Sequence, residues 1–236
     1  MKRTVVITGG TKGLGRELSL AFGRAGWFVL AFYAADEAAA EQLRANFLDA
    51  KISGAVVRHD VTLENPAVWS RPEIHEAEHL ALIHNACAAF APAPLHQFGW
   101  TEFEANLSVA VKGGWCCAQA LIRPLLKCRR GTIVNVLTSA VEGLPPKGFA
   151  AYATAKHALR GFTLALASEY APRGLRVFSV SPGFMHTALT ERWDPRLREA
   201  VLSAGARVTD PVRGAARVLE LVENEATAGR GEEFPI

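Results

Sequence analysis

Tyr152 and Lys156 stand four residues apart in the stretch AYATAK. On a helix, positions i and i+4 share one face, so the phenol and the ammonium meet. A free phenol titrates near ~10, too high for easy proton transfer near neutrality. A neighbouring ammonium favours the phenolate and lowers that value. Such a pair is a general acid–base device, typically worth about a hundred- to ten-thousandfold in rate.

A second chemical signal lies near the start of the chain. The run TGGTKGLG, Thr8 to Gly15, follows an apolar stretch and opens a helical pattern. Glycines at Gly9, Gly13 and Gly15 allow a tight turn and close approach to a pyrophosphate. The helix N-terminus then offers free N–H groups and a partial positive charge. This pattern predicts a dinucleotide site. A carboxylate at the end of the second strand would favour NAD by holding the ribose 2′-OH. That position is Tyr33, followed by Ala34 and Ala35, while Asp36 already opens the next helix and Lys12 sits inside the loop. A missing carboxylate and an added cation favour NADP(H) over NAD. In the other reading Lys12 is solvated and Asp36 reaches back to the ribose.

The elements that must position these groups are legible as a period change. Short apolar runs at 3–8, 27–33, 54–60, 79–84, 131–137 and 174–181 read as strands. Helical patterns at about 13–25, 36–50, 101–128, 149–171 and 211–225 separate them, with a weaker one near 64–77. The tail GRGEEFPI offers a last short strand. Continuous apolar strands alternating with helices predict a single α/β domain over 1–236, a doubly wound (Rossmann) parallel sheet with helices on both faces.

Composition narrows the function classes. The 236 residues are half apolar with a net charge of +3, and the charges are scattered, so nothing calls for nucleic acid. No run is long enough for a membrane span or a signal peptide. The seven histidines and four cysteines show neither metal-ligand spacing nor a disulfide framework. Adjacent Cys116 and Cys117 in an apolar stretch read as thiols of a reducing cytoplasm.

Taken in order, the glycine loop, YATAK and SPGFMHT resemble the short-chain dehydrogenase/reductase family, most closely its NADPH-dependent 3-oxoacyl-carrier-protein reductase type. The resemblance runs from the first strand to about residue 225. It implies reduction of a ketone by hydride from the nicotinamide, with Tyr152 protonating the oxygen and Lys156 also holding the nicotinamide ribose. It implies cofactor contacts from Gly9, Thr11, Lys12, Gly13, Leu14 and Gly15. Asp60 and Val61 match residues that meet the adenine, Asn85 and Ala86 an Asn-Ala-Gly segment, and Pro182, Gly183 and Thr187 the nicotinamide wall. A hydroxyl at the end of strand five should hold the substrate oxygen. Strand register from Gly131 and Asn135 favours Thr138, and the interval of 13 residues before Tyr152 favours Ser139; both stay open.

Two departures stand out. Cys87 replaces the glycine of the Asn-Ala-Gly segment. Ala110, in VAVKG, replaces an asparagine whose side chain braces a bend in its helix and whose backbone carbonyl holds a water on the proton path. Alanine keeps the carbonyl and loses the brace, and Asn106 one turn upstream is no assured substitute. The rival reading is therefore a dinucleotide-binding protein with lost catalysis, acting as a regulator or partner subunit. Arg129, Arg130 and Arg173 are read as a basic rim for an acidic acyl-carrier protein. Trp193, Leu197 and Val201 are read as part of a variable substrate lid, and His186 as facing the substrate or solvent. The family assembles through the helices flanking strand five. Ala118, Ala120, Leu121, Ala158, Phe162 and Leu166 on those helices fit burial against a second copy in a homodimer or homotetramer.

Overall fold

A computed structural model describes residues 2–203, 205–227 and 229–236, leaving aside the side chain of Pro66. Seven strands form one parallel sheet: β1 (Arg3–Thr8), β2 (Phe28–Tyr33), β3 (Gly54–Arg58), β4 (His79–His84), β5 (Arg130–Val136), β6 (Arg176–Ser181) and β7 (Arg230–Pro235). Their order is β3-β2-β1-β4-β5-β6-β7. The chain winds outward from β1 in one direction and from β4 in the other. The crevice for a ligand therefore opens at the carboxyl ends of β1 and β4. The tail forms β7 as expected, a parallel edge strand beside β6. Its charged Glu232 and Glu233 suit an edge that must not pair further.

The helices are α1 (Gly13–Arg24), α2 (Glu37–Asp49), the one-turn α3 (Pro66–Trp69) and α4 (Pro72–His75), α5 (Trp100–Leu107), α6 (Gly113–Lys127), α7 (Ala150–Tyr170), the short α8 (Ala188–Glu191), α9 (Pro195–Ser203) and α10 (Pro211–Glu223). The weak helical pattern near 64–77 is broken in two because Pro66 and Pro72 each start a helix and cannot continue one. The helix expected over 101–128 is interrupted by a π turn at Ser108–Lys112, which carries Ala110.

Alternating side chains of each strand feed two cores. Val5, Ile7, Val29 and Phe178 pack with Leu18 and Phe22 of α1 and Val218 and Leu221 of α10. Val6, Leu30, Leu82 and Ile133 pack on the other face with Cys117, Leu121 and Leu125 of α6 and Leu166 of α7. Ala118, Leu121 and Leu166 are thus spent within the chain rather than held for a second copy. All four cysteines are free thiols. No described helix is long and apolar enough to cross a membrane.

Candidate active site

The glycine loop turns β1 into α1. Gly9 and Gly13 take φ of +62° and +51°, a region that favours glycine. A Cβ on Gly15 would lie 2.0 Å from the Gly9 carbonyl oxygen, so helix and loop pack as closely as backbone allows. No side chain caps α1 at Lys12, which leaves its first-turn N–H groups free to bind an anion. Thr11 is buried and Leu14 joins the core. The Asn85 side-chain amide donates to the carbonyls of Thr8 and Gly9 at 3.0 and 3.1 Å, so Asn85 braces the loop itself. The backbone N–H groups of Asn85 and Ala86 both donate to Thr8 Oγ1 at 3.0 Å.

At the end of β2, Tyr33 is buried and its phenol donates to Glu37 at 2.7 Å. Lys12 and Asp36 meet each other: Lys12 Nζ lies 2.8 Å from Asp36 Oδ2, and the same carboxylate caps α2 through Ala39 N–H. Its hydrogen bond to Lys12 is the main reason its pKa falls below the ordinary carboxylate value, with help from the cap. Asp36 is therefore a capping and ion-pairing group first. Arg58, at the end of β3, donates to the Ala34 carbonyl at 3.3 Å and adds a second cation to this rim. Periodicity could not single it out, because within the run 54–60 it reads simply as one more strand residue. Asp60 accepts from the N–H and hydroxyl of Thr62, and Val61 is buried against the Gly113 backbone.

Across the crevice, α7 carries Tyr152 and Lys156. Lys156 is buried and donates to the Val136 carbonyl, at the end of β5, at 2.7 Å. Its Nζ stands 5.8 Å from the Tyr152 ring centroid. The Tyr152 phenol is hydrogen-bonded to the Thr138 side chain, which favours its ionised form. Burial nonetheless dominates and holds the Tyr152 pKa above the ordinary phenol value, with Cys87 pushing the same way. This reverses the expected lowering. Lys156 is tied to a carbonyl beneath the ring, and its own pKa is lowered by burial. Desolvation of the phenolate therefore outweighs the hydrogen bond from Thr138.

The two hydroxyl candidates separate. Thr138 is buried, meets Tyr152, and its Oγ1 also accepts from Ala140 N–H. Ser139 starts a short 3-10 turn, and its N–H donates to the Pro182 carbonyl at 2.8 Å. That bond links the β5 and β6 ends and sets the floor of the cleft. Gly183 has its N–H on Thr209 Oγ1 at 2.8 Å, and a Cβ there would meet the Arg207 carbonyl at 2.2 Å. Thr187 lies directly over Gly13, so the loops after β6 and β1 close on one another. His186 is exposed, its ring edge-on to Phe184.

Sequence reasoning missed the aromatic wall above Tyr152. Phe90 stacks on Tyr152 at 4.3 Å and 10° between planes. Phe149, Trp193 and Phe184 surround the pair. Trp193 also donates its indole N–H to the Phe90 carbonyl at 3.0 Å, which ties the lid to the loop after β4. Val201 is buried in the same cluster, as the lid reading expected of it and Trp193, while Leu197 is only half-buried. Phe90 sits in a loop with no periodicity, so no sequence pattern marks it.

The basic-rim expectation fails on topology. Arg129 precedes β5, Arg130 is its first residue and Arg173 precedes β6, whereas Thr138 and Tyr152 lie at the carboxyl edge. A seven-residue strand separates the two ends, roughly 20 Å. Arg130 is also occupied, donating to the Val222 and Glu223 carbonyls at the end of α10. Asn106 donates to Glu102 one turn back in its own helix, so it does not replace the side chain missing at Ala110. Cys87 is open to solvent beside Tyr152 and Lys156, and its thiol donates to the Ala88 carbonyl.

Comparison with known proteins agrees with this arrangement. A short chain dehydrogenase family model matches residues 3–198. A 3beta-hydroxysteroid dehydrogenase of Eggerthella lenta is 32% identical over 208 residues, covering 84% of this chain and 77% of that protein. A 3-oxoacyl-[acyl-carrier-protein] reductase of Staphylococcus aureus is 26% identical, covering 86% and 82%. A Beutenbergia cavernae structure assigned as an NAD(P)-dependent gluconate 5-dehydrogenase, with bound NADP, superimposes with a TM-score of 0.85 at 28% identity, covering 99% and 94%. With its glycine loop at the β1–β4 crevice and its Tyr–Lys helix facing it, this chain belongs to the short-chain dehydrogenase family and is an oxidoreductase.

Proposed function

We propose that this oxidoreductase is an NADP(H)-dependent carbonyl reductase acting on an apolar ketone or 3-oxoacyl thioester, with Tyr152 as general acid. The observation that carries the reading is the placement of the Tyr152 phenol, hydrogen-bonded to Thr138, stacked on Phe90 at 4.3 Å and with Lys156 Nζ 5.8 Å from its ring. A protonated phenol at neutral pH is the form a reductive step needs.

The residues present fit the dinucleotide. Gly9, Gly13 and Gly15 leave a backbone cradle that a Cβ would fill, and the uncapped N-terminus of α1 faces it. Thr11, Leu14, Tyr33, Asp60, Val61, Asn85, Ala86, Pro182, Gly183 and Thr187 complete the lining by their positions around the strand ends. Lys12 and Arg58 supply the cations that a 2′-phosphate requires, while the pairing of Asp36 with Lys12 weakens its claim on a 2′-OH. When bound, the reduced nicotinamide supplies hydride to the carbonyl carbon.

This chain's residues do the rest. Thr138 donates a hydrogen bond to the substrate oxygen, and Tyr152 delivers its proton there as charge builds. Lys156, buried below, stabilises the phenolate that remains and is the residue that would hold the nicotinamide ribose. The Ala110 carbonyl has two lone pairs, and one of them can hold a water that returns a proton toward Lys156. Phe90, Phe149, Phe184 and Trp193 exclude bulk water and favour an apolar substrate. Likeness to a hydroxysteroid dehydrogenase and a 3-oxoacyl reductase supports that class. Docking of an acyl-carrier protein through Arg129, Arg130 and Arg173 is not part of the proposal. A homodimer or homotetramer is supported by the exposed Trp115 of α6 and Leu164 of α7.

The test is consumption of NADPH with a panel of apolar ketones, 3-oxoacyl thioesters and small polar ketones. Turnover is expected on the apolar carbonyls. Tight NADPH binding without turnover on any member would instead support the non-catalytic reading, which the alanine at position 110 favours.

A further inference from the structure

His84, the last residue of β4, is 1% exposed and joins two parts of the site that no other described side chain connects. Its Nδ1 lies 3.1 Å from Thr8 Oγ1, at the root of the glycine loop. Its Nε2 lies 3.0 Å from the Ala110 carbonyl oxygen, inside the π turn. The direction of each bond follows from counting protons. Thr8 Oγ1 already accepts from Asn85 N–H and Ala86 N–H, so its own proton is the donor to Nδ1. Nε2 therefore carries the ring hydrogen and donates it to Ala110. Burial first, and then the charge of Lys156, hold the imidazole pKa down at about 4, which keeps this neutral tautomer at physiological pH.

The backbone is shaped to admit the ring. A Cβ on Gly114 would stand 3.2 Å from His84 Cδ2 and 3.3 Å from Nε2, and one on Gly113 3.6 Å from Cε1. The glycine pair that opens α6 is the slot in which the imidazole lies. A π turn moves carbonyls off the regular helical ladder, and a buried carbonyl left unpaired is costly. Here that carbonyl has a dedicated buried donor.

We propose that His84 is a positioning residue: bonded at both nitrogens, it pins the π turn to the glycine loop and fixes the Ala110 carbonyl, the role left open by the alanine at position 110. The link to turnover rests on the reductase reading above; the link to the π turn does not.

The test compares His84→Asn with His84→Gln, each with NADPH bound. Asparagine keeps a partner for Thr8 but falls short of Ala110, whereas glutamine places an N–H near the reach of Nε2. The asparagine variant is expected to lose about tenfold in kcat, the equivalent of one hydrogen bond, with KM for NADPH within about twofold. Amides of 108–114 should exchange about tenfold faster. The glutamine variant should stay within about threefold of the parent on both readouts. Equal behaviour of the two variants in amide exchange overturns the proposal. Should either variant fail to fold, imidazole 15N shifts of the parent protein decide. A neutral ring protonated at Nε2 supports the bridge, and a ring protonated at Nδ1 or charged at pH 7 overturns it. If the parent protein binds NADPH but turns over no carbonyl, the reductase reading fails while the exchange result still judges the brace.

Discussion

Lowering the pH from 7.5 to 5.0 should weaken this fold through its buried imidazoles, most of all His79 and His84, with His59 shifted the same way by burial. His79 is 2% exposed, packed against Trp27 at 4.4 Å between centroids with the rings tilted by 60°, and its Nε2 has no partner. Burial, then the charges of Arg130, Arg176 and Arg3, bring its pKa down to about 3, and His84 is held at about 4. In the unfolded chain both titrate near 6.5. A histidine whose folded pKa is depressed stays neutral in the native state while the unfolded state takes up a proton. Unfolding is therefore favoured as pH falls below 6.5, and the loss continues until the folded pKa is reached. Each pH unit in that window removes about 1.4 kcal/mol per group. At pH 5.0 each has lost about 2 kcal/mol and the pair about 4, a large share of the 5–15 kcal/mol typical of a domain. The paired carboxylates Asp36, Glu37 and Glu76 have lowered pKa values, so they remain ionised across this range and do not contribute. Urea unfolding at the two pH values measures the difference. His79→Leu removes one of these imidazoles and should lessen the fall by about 2 kcal/mol. A fall below about 1 kcal/mol, or one unchanged by that substitution, would refute the reasoning.

Gly15→Ala forces a Cβ to within 2.0 Å of the Gly9 oxygen; cofactor binding followed by fluorescence should be lost, with stability down by about 1–3 kcal/mol. Lys12→Ala should weaken NADPH binding about tenfold at low salt while leaving NADH nearly unchanged, a difference that shrinks as ionic strength rises. Phe90→Ala removes the ring stacked on Tyr152 and should raise KM for apolar ketones about fivefold, in line with one aromatic pair, while sparing small ketones.

How much of this was legible beforehand follows from how local each cause is. The parallel sheet and the loop between β1 and α1 were readable because apolar periodicity and glycine placement act over a few residues. The pairing of Tyr152 with Lys156 was readable because helix geometry fixes it. The sign of the Tyr152 shift was not, since it depends on what buries the phenol, and Phe90 comes from a loop 62 positions away. The basic rim failed for a related reason: Arg129, Arg130 and Arg173 stand before or at the starts of strands, and in a parallel sheet that puts them at the edge opposite the site. His84 looked like the polar end of an apolar strand. Only the fold brings Thr8 and Ala110 to its two nitrogens. Asp36 was read as opening the second helix or as reaching back to the ribose; it caps α2, and its pairing with Lys12 was not legible.

The central claim is that the Tyr152 hydroxyl gives up the proton. It is tested most directly by Tyr152→Phe, measured for both NADPH affinity and kcat on the best apolar ketone. The account predicts a dissociation constant within about twofold of the parent and a kcat lowered at least about a hundredfold. An unchanged kcat with intact binding would contradict it.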